Sequence, residues 1–296
     1  KEAEQLINLG NTRDHFNELI DCDWIAEAVV ERLDIKQALY KKLNENCKDS
    51  TIITSNTSTI PISLLTEGMP KNFCERFAIT HFFNPVRFMR LLELVKGEQT
   101  RQDVMHTLDV FCESMLGKGV VPCSDTPGFL ANRVGVFAIQ CALHKAFKYN
   151  LSPIEADAFF GRPLGLPKTG VFGLYDLIGI DLMADVAKSL ENILPDNDAF
   201  HKYASPIEFV SNMIAKGQTG NKNEQGFYKQ DGDEKKVIDL LGGNYVDHER
   251  LKTPLLEEAE KDGVTAIIAD ESKYGLFVWE VLSETLCYAA SLIPEV

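Results

Sequence analysis

Cations are scarce in this sequence: 30 Lys and Arg stand against 44 Asp and Glu, a net charge of −14 with a pI near 4.9. That balance argues against a surface that tracks nucleic-acid phosphates or an anionic membrane as its main partner. Long apolar runs are missing as well. No stretch approaches the roughly 18 residues that span a bilayer, and the start shows no signal-peptide pattern, so membrane insertion is not expected. Cysteines are few and irregular: Cys22, Cys47, Cys74, Cys112, Cys123, Cys141 and Cys287 are odd in number and lack CxxC spacing. They suggest neither a disulfide framework nor a metal site, and fit a reducing, cytoplasmic compartment. No GxGxxG turn occurs anywhere, and Lys1 stands where an initiator Met would. Lys1-Glu2-Ala3-Glu4-Gln5 reads as the end of a helix, so the sequence is expected to be a piece of something longer.

What is present is regular. The 296 residues, 45% of them hydrophobic, suffice for one large or two modest cores. Cys22 to Val30 reads as a strand and Glu31 to Leu43 as a helix with a basic end. Thr51 to Thr54 is a short β-branched run, followed by the polar Ser55-Asn56-Thr57-Ser58 and a helical stretch closed by Gly68. Phe77 to Phe83 and Leu91 to Val95 read as further strands, Gln102 to Met115 as a helix, and Gly119 to Pro122 as another strand. This alternation predicts an α/β fold with a mostly parallel sheet. Ligands bind beyond the carboxyl ends of such strands. Glu31, Ser55 to Ser58 and His81 to Asn84 should therefore gather on one edge.

From Asp125-Thr126-Pro127-Gly128 onward the pattern turns helical. Residues 129–149 are apolar nearly all round and should form a central helix. A short helix near Ile154 and a long one from Leu174 to Leu194 follow. Between them, residues 161–170 are too rich in Gly and Pro for a helix and should form an extended connection. Residues 217–234 read as a polar loop around Gly226-Phe227-Tyr228, and residues 253–296 as an acidic helix and a final amphipathic one. The expected division is residues 1–124, residues 125–230 and a remainder, 231–296, of linker and helices.

One His draws attention. His81 follows an apolar run and is trailed by Glu93 inside the apolar Leu91 to Val95. A strand-end imidazole with a carboxylate in the neighbouring strand is the arrangement of a general base and its orienting partner. Each residue also has a plainer reading: a core His bonded to a backbone carbonyl, and an outward-facing strand Glu.

The ordered set SNTSTI (55–60), HFFNP (81–85), LLELV (91–95), DTPGFLANR (125–133) and GRPLGLPKTGVFGLYDLIGID (161–181), with EAVVERLDIKQ (27–37), resembles the L-3-hydroxyacyl-CoA dehydrogenase family. The resemblance covers about residues 7 to 230 and is nearest to the dehydrogenase portion of bacterial β-oxidation proteins that fuse this activity to an enoyl-CoA hydratase. It implies NAD as cofactor and an acyl-CoA as substrate, His81 as general base and Glu93 as its partner. It further implies Ser58 at the substrate oxygen and nicotinamide, and Asn132 at the substrate carbonyl. Glu31, Lys36, Asn84 and Lys222 match positions near the nicotinamide or ribose. The plainer alternatives are an N-cap role for Ser58 and solvated surface for Glu31 and Lys36. Lys222 rests on its distance from Gly226, since Asn221-Lys222-Asn223-Glu224-Gln225 departs from the family's usual Thr-Gly. Folds of this family begin with a glycine-rich phosphate turn. Its absence implies a partial Rossmann-like sheet, lacking the first βαβ unit, followed by a helical domain. Acyl-chain length, NAD against NADP, and a homodimer against packing on a further domain stay open. So do a 3-hydroxybutyryl-CoA dehydrogenase and a non-catalytic scaffold as alternatives.

Overall fold

The computed structural model of the protein describes residues 3–296, apart from the side chains at 3, 4 and 260. The helix end expected at the start thus lies partly outside the described residues, and Ala3–Leu6 form a short 3-10 turn. The chain divides into two units, Lys1–Ala131 with Pro294–Val296, and Asn132–Ile293. The split falls a few residues past the Pro-Gly punctuation because Phe129 is buried in the core of the first unit. Residues 231–293 belong to the second unit rather than standing apart.

The first unit is a five-stranded sheet in the order β1 (Trp24–Glu27), β2 (Ile52–Ser55), β3 (Phe77–Phe82), β4 (Leu91–Lys96), β5 (Gly119–Ser124). Neighbours are parallel except β3 and β4, which run antiparallel. Helix α1 (Leu33–Asn46) links β1 to β2, α2 (Ile62–Leu65) and the unanticipated α3 (Lys71–Glu75) link β2 to β3, and α4 (Gln102–Ser114) links β4 to β5. The strands read as continuous apolar runs because both faces are covered. Successive residues supply opposite faces: Ile79 and Val95 join Tyr40, Leu43 and Ile53 in one core, while Ala78 and Leu94 join Val104, Met105 and Leu108 in the other. The first strand is shorter than its apolar run predicted. Glu27 ends it by accepting the backbone N–H of Val29 at 2.6 Å, which leaves Glu31 in the β1–α1 connection and not on a helix.

The second unit follows α5 (Ala131–Lys148), whose first residue closes the first unit, with α6 (Pro153–Phe159), α7 (Phe172–Ile178), α8 (Ile180–Ile193), α9 (His201–Ala204) and α10 (Glu208–Ala215). The capping box of Ser152 and Glu155 starts α6. Residues 161–170 are not extended throughout, since Arg162–Leu164 make a 3-10 turn. The single long helix expected from Leu174 to Leu194 is broken at Gly179, whose φ of 111° is outside the helical range and open in practice only to glycine. After α10 comes a three-stranded antiparallel sheet of β6 (Tyr228–Asp231), β7 (Glu234–Ile238) and β8 (Tyr245–Asp247); β6 lies where residues 217–234 read as a loop, and β8 where residues 231–296 read as linker and helices. Helices α11 (Pro254–Asp262), α12 (Val264–Ile268) and α13 (Lys273–Ser291) complete the unit. Arg133 is structural, buried and bonded to Asp198 and, at 3.1 Å, to the Tyr288 hydroxyl.

Candidate active site

The antiparallel pairing of β3 and β4 sets His81 directly opposite Glu93. Both side chains are buried, Glu93 completely, and His81 Nδ1 lies 2.6 Å from Glu93 Oε2. This rules out the outward-facing strand Glu and replaces the backbone carbonyl with a carboxylate as the partner of His81. A carboxylate only accepts, so Nδ1 carries the hydrogen and Nε2 is left as the acceptor.

The other oxygen of Glu93 is held just as firmly. Oε1 accepts the backbone N–H groups of Leu130 at 2.8 Å and Ala131 at 2.6 Å. These donors belong to the start of α5, where N–H groups lack intrahelical partners. The turn that aims them has Gly128 at φ 74° and Phe129 at φ 47°. A left-handed phenylalanine is uncommon and costs on the order of 1 kcal/mol or more. It is held because its ring is buried 5.9 Å from the ring of His81. Phe83 covers another side of the imidazole, with ring centres 4.5 Å apart.

A second polar cluster occupies the carboxyl ends of β1 and β2. Glu27, opposite Ser55 in register, accepts from Lys36 Nζ at 2.8 Å, Tyr40 Oη at 2.6 Å and Ser55 Oγ at 2.7 Å. Lys36 is buried, and its ammonium also reaches Glu31 at 3.3 Å and the Val29 carbonyl at 3.3 Å. Its three donors are all engaged within the protein, so solvated surface is the wrong description. Glu31 accepts from the hydroxyls of Thr57 and Thr59 and from the backbone N–H of Ser58. Burial alone would raise its pKa, but these bonds and the Lys36 charge outweigh it, and the carboxyl sits below its ordinary range.

Glu31 thereby fixes the 57–59 loop. Ser58 caps no helix, because α2 begins after Pro61. Its N–H goes to Glu31, while its hydroxyl has no protein partner among the described residues. Asn56 accepts the N–H of Phe82 at 2.9 Å, tying this loop to the strand end that carries His81. Asn84 is exposed just beyond. The loop it opens is pinned by buried Lys118, whose ammonium donates to the carbonyls of Val86 and, at 2.7 Å, Met89.

Glu31, Lys36 and Ser58 therefore share one network, and His81 pairs with Glu93. Ser55 falls on the strand edge where the sequence placed residues 55–58, whereas Glu27, Tyr40 and Lys118 were not expected at the site. Glu27 closes a strand and could have been weighed as a strand-end carboxylate; Lys118 carried no pattern. Asn132 is the second residue of α5, half-buried, and opens the second unit. Lys222 lies in the same unit, its ammonium 2.7 and 2.6 Å from the two carboxylate oxygens of Asp181. Among the described residues no cluster of metal-ligating side chains occurs, and no helix is long and apolar enough to cross a membrane.

Residues 1–126 match the family profile described as 3-hydroxyacyl-CoA dehydrogenase, NAD binding domain, and residues 128–230 match that of the C-terminal domain of the same enzymes. A putative fatty acid oxidation complex trifunctional enzyme of Rickettsia prowazekii is 38% identical over 98% of this chain and 40% of its own length. The mitochondrial hydroxyacyl-coenzyme A dehydrogenase of Rattus norvegicus is 33% identical over 76% of this chain and 69% of its own. Among solved structures, 3-hydroxybutyryl-CoA dehydrogenase from Escherichia coli K12 superposes with a TM-score of 0.62 at 31% identity, covering 75% of this chain and 45% of that one. The chain spans about 40% of the length of the Rickettsia relative.

Proposed function

The chain belongs to the 3-hydroxyacyl-CoA dehydrogenase family, and from that premise we propose that it oxidises an L-3-hydroxyacyl-CoA to the 3-ketoacyl-CoA with NAD, as a cytoplasmic step of fatty-acid β-oxidation. The observation that carries the reading is the buried pair of His81 and Glu93, 2.6 Å apart, with Nε2 of the ring left to accept. Oxidising a secondary alcohol removes a hydride from carbon and a proton from oxygen. His81 takes the proton at Nε2. Glu93 holds the ring in the tautomer that can do so and stabilises the imidazolium that forms, as a carboxylate does in other His-centred sites.

When bound, NAD supplies the hydride acceptor at its nicotinamide. The residues present suit that end of the cofactor: the Ser58 hydroxyl has no protein partner among the described residues, and the Asn84 amide is exposed beyond the strand that carries His81. Glu31 and Lys36 serve it indirectly, by holding the 57–59 loop. No residue is assigned to the pyrophosphate, because the chain holds no glycine-rich turn. Asn132 at the substrate carbonyl and Lys222 at the ribose rest on the motif match alone.

His81→Gln should lower turnover by about 100- to 10,000-fold, the usual worth of general acid–base catalysis. Near-normal turnover would overturn the assignment. A preference for short acyl chains is favoured by the likeness to the Escherichia coli 3-hydroxybutyryl-CoA dehydrogenase, and rates over a series of chain lengths decide it.

A further inference from the structure

The second unit contains a cavity of about 1140 Å³ that none of the chemistry above uses. Its lining comes from α6, the 161–170 connection, α7, the small sheet, and the stretch from His248 through α11. It is unusual in charge. In a chain with a net charge of −14, Arg162, Lys168, Lys235, Arg250 and Lys252 all line this one space, joined by His248. Three carboxyls, Asp157, Asp176 and Glu257, face these five cations. Asp157 already accepts the backbone N–H groups of Phe172 and Gly173 and the Tyr228 hydroxyl, at 2.7, 3.0 and 2.8 Å. Asp176 accepts the N–H groups of Phe227 and Tyr228 at 2.8 and 2.7 Å.

Among the described residues none of the five cations forms an ion pair with any carboxylate; Lys235 instead lies 4.2 Å over the Tyr228 ring. The five cations outnumber the three carboxyls of the same lining, and an anion would offset that excess. The Thr169 hydroxyl is buried without a partner, and Asp157, Asp176 and Tyr228 offer acceptors and an aromatic face. A buried hydroxyl that finds no partner within the protein marks a place where a ligand or water completes it.

We propose that this cavity binds a phosphorylated nucleotide, with its phosphates on the exposed cations and the amino and ring edges of its base toward Thr169 and the carboxylates. Arg and Lys are suited to phosphate oxygens, and a cavity of this size holds a nucleotide. The ligand is either a free nucleotide or the 3′-phosphoadenosine diphosphate end of coenzyme A. The free-nucleotide reading is independent of the assignment of His81, whereas the coenzyme A reading rests on the proposed reaction.

Calorimetric titration of the purified chain with adenosine, ADP and coenzyme A tests this, beside Arg250→Ala/Lys252→Ala and Lys168→Ala, with circular dichroism confirming that each variant is folded. These side chains are exposed, and Lys168 lies on a different segment from Arg250 and Lys252. ADP or coenzyme A should bind at least about tenfold more tightly than adenosine, weaken with added salt, and lose roughly tenfold in affinity per cation removed. Tighter binding of coenzyme A than of ADP assigns the site to a coenzyme A nucleotide; equal binding assigns it to free nucleotide. His81→Gln should leave these affinities unchanged, so a failure of the proposed reaction is told apart from a failure here. Adenosine binding as well as ADP, or affinities unchanged in the folded variants, would refute the proposal.

Discussion

Replacing Glu93 by Gln keeps the shape of the side chain and changes only what one end can do. Glu93 accepts from both sides, with Oε2 facing His81 Nδ1 and Oε1 facing the N–H groups of Leu130 and Ala131. A glutamine cannot satisfy both. If its amide NH₂ faces α5, two buried backbone donors lose their acceptor, at about 1–3 kcal/mol each. If its NH₂ faces the imidazole, the ring can adapt by moving its hydrogen to Nε2, and that is the cheaper outcome. The helix start stays bonded and the protein folds with a loss on the order of 1–3 kcal/mol. Nε2 then bears a hydrogen and can no longer accept the substrate proton. The expected result is a folded protein whose turnover falls by about 100- to 10,000-fold, measured as NADH formation from 3-hydroxybutyryl-CoA. Nitrogen-15 NMR of the ring gives a readout independent of turnover, with the hydrogen on Nδ1 in the natural protein and on Nε2 in the variant. An unchanged tautomer together with near-natural turnover would refute the reasoning.

Lys118→Met should release the carbonyls of Val86 and Met89, at about 1.5–3 kcal/mol for each charge-assisted bond. The loop carrying Asn84 should then become sensitive to proteolysis and KM for NAD should rise more than kcat falls, with partial rescue by Lys118→Arg. In the second unit, burial outweighs the bonds from Tyr228, Phe172 and Gly173 and pushes the Asp157 carboxyl up to about 7, and burial likewise pushes Asp176 up to about 6. A raised folded-state pKa means that the folded chain holds protons the unfolded chain has released. Stability should therefore decline as pH rises from about 4 to about 7 and level off above. Asp157→Asn should flatten that decline in urea unfolding followed at several pH values, and an unchanged slope would count against the shift.

The degree to which the sequence was legible follows from how local each signal is. Strand runs at 77–82 and 91–96 are apolar enough to be read directly, because a sheet covered on both faces leaves no alternation to confuse. Adjacent apolar runs and the motif resemblance pair His81 with Glu93; the antiparallel turn between β3 and β4 makes them cross-strand neighbours. The rest of the site was not local. Glu27, Lys36 and Tyr40 come together only because α1 packs back across the end of β1, and on the linear sequence Lys36 is indistinguishable from a surface lysine. The small sheet was masked for another reason. Asp231-Gly232 is a hairpin signal, but Asn221, Lys222, Asn223, Lys229 and Gln230 ahead of it gave residues 217–234 the composition of a loop. The contact that orders this region is a close approach: a Cβ on Gly226 would stand 2.0 Å from Asp176 Oδ1. Only a glycine there lets the N–H groups of Phe227 and Tyr228 reach that carboxylate. The Gly-Phe-Tyr motif is thus read by a buried aspartate fifty-one residues upstream of Phe227, a relation that becomes visible once α7 is in place.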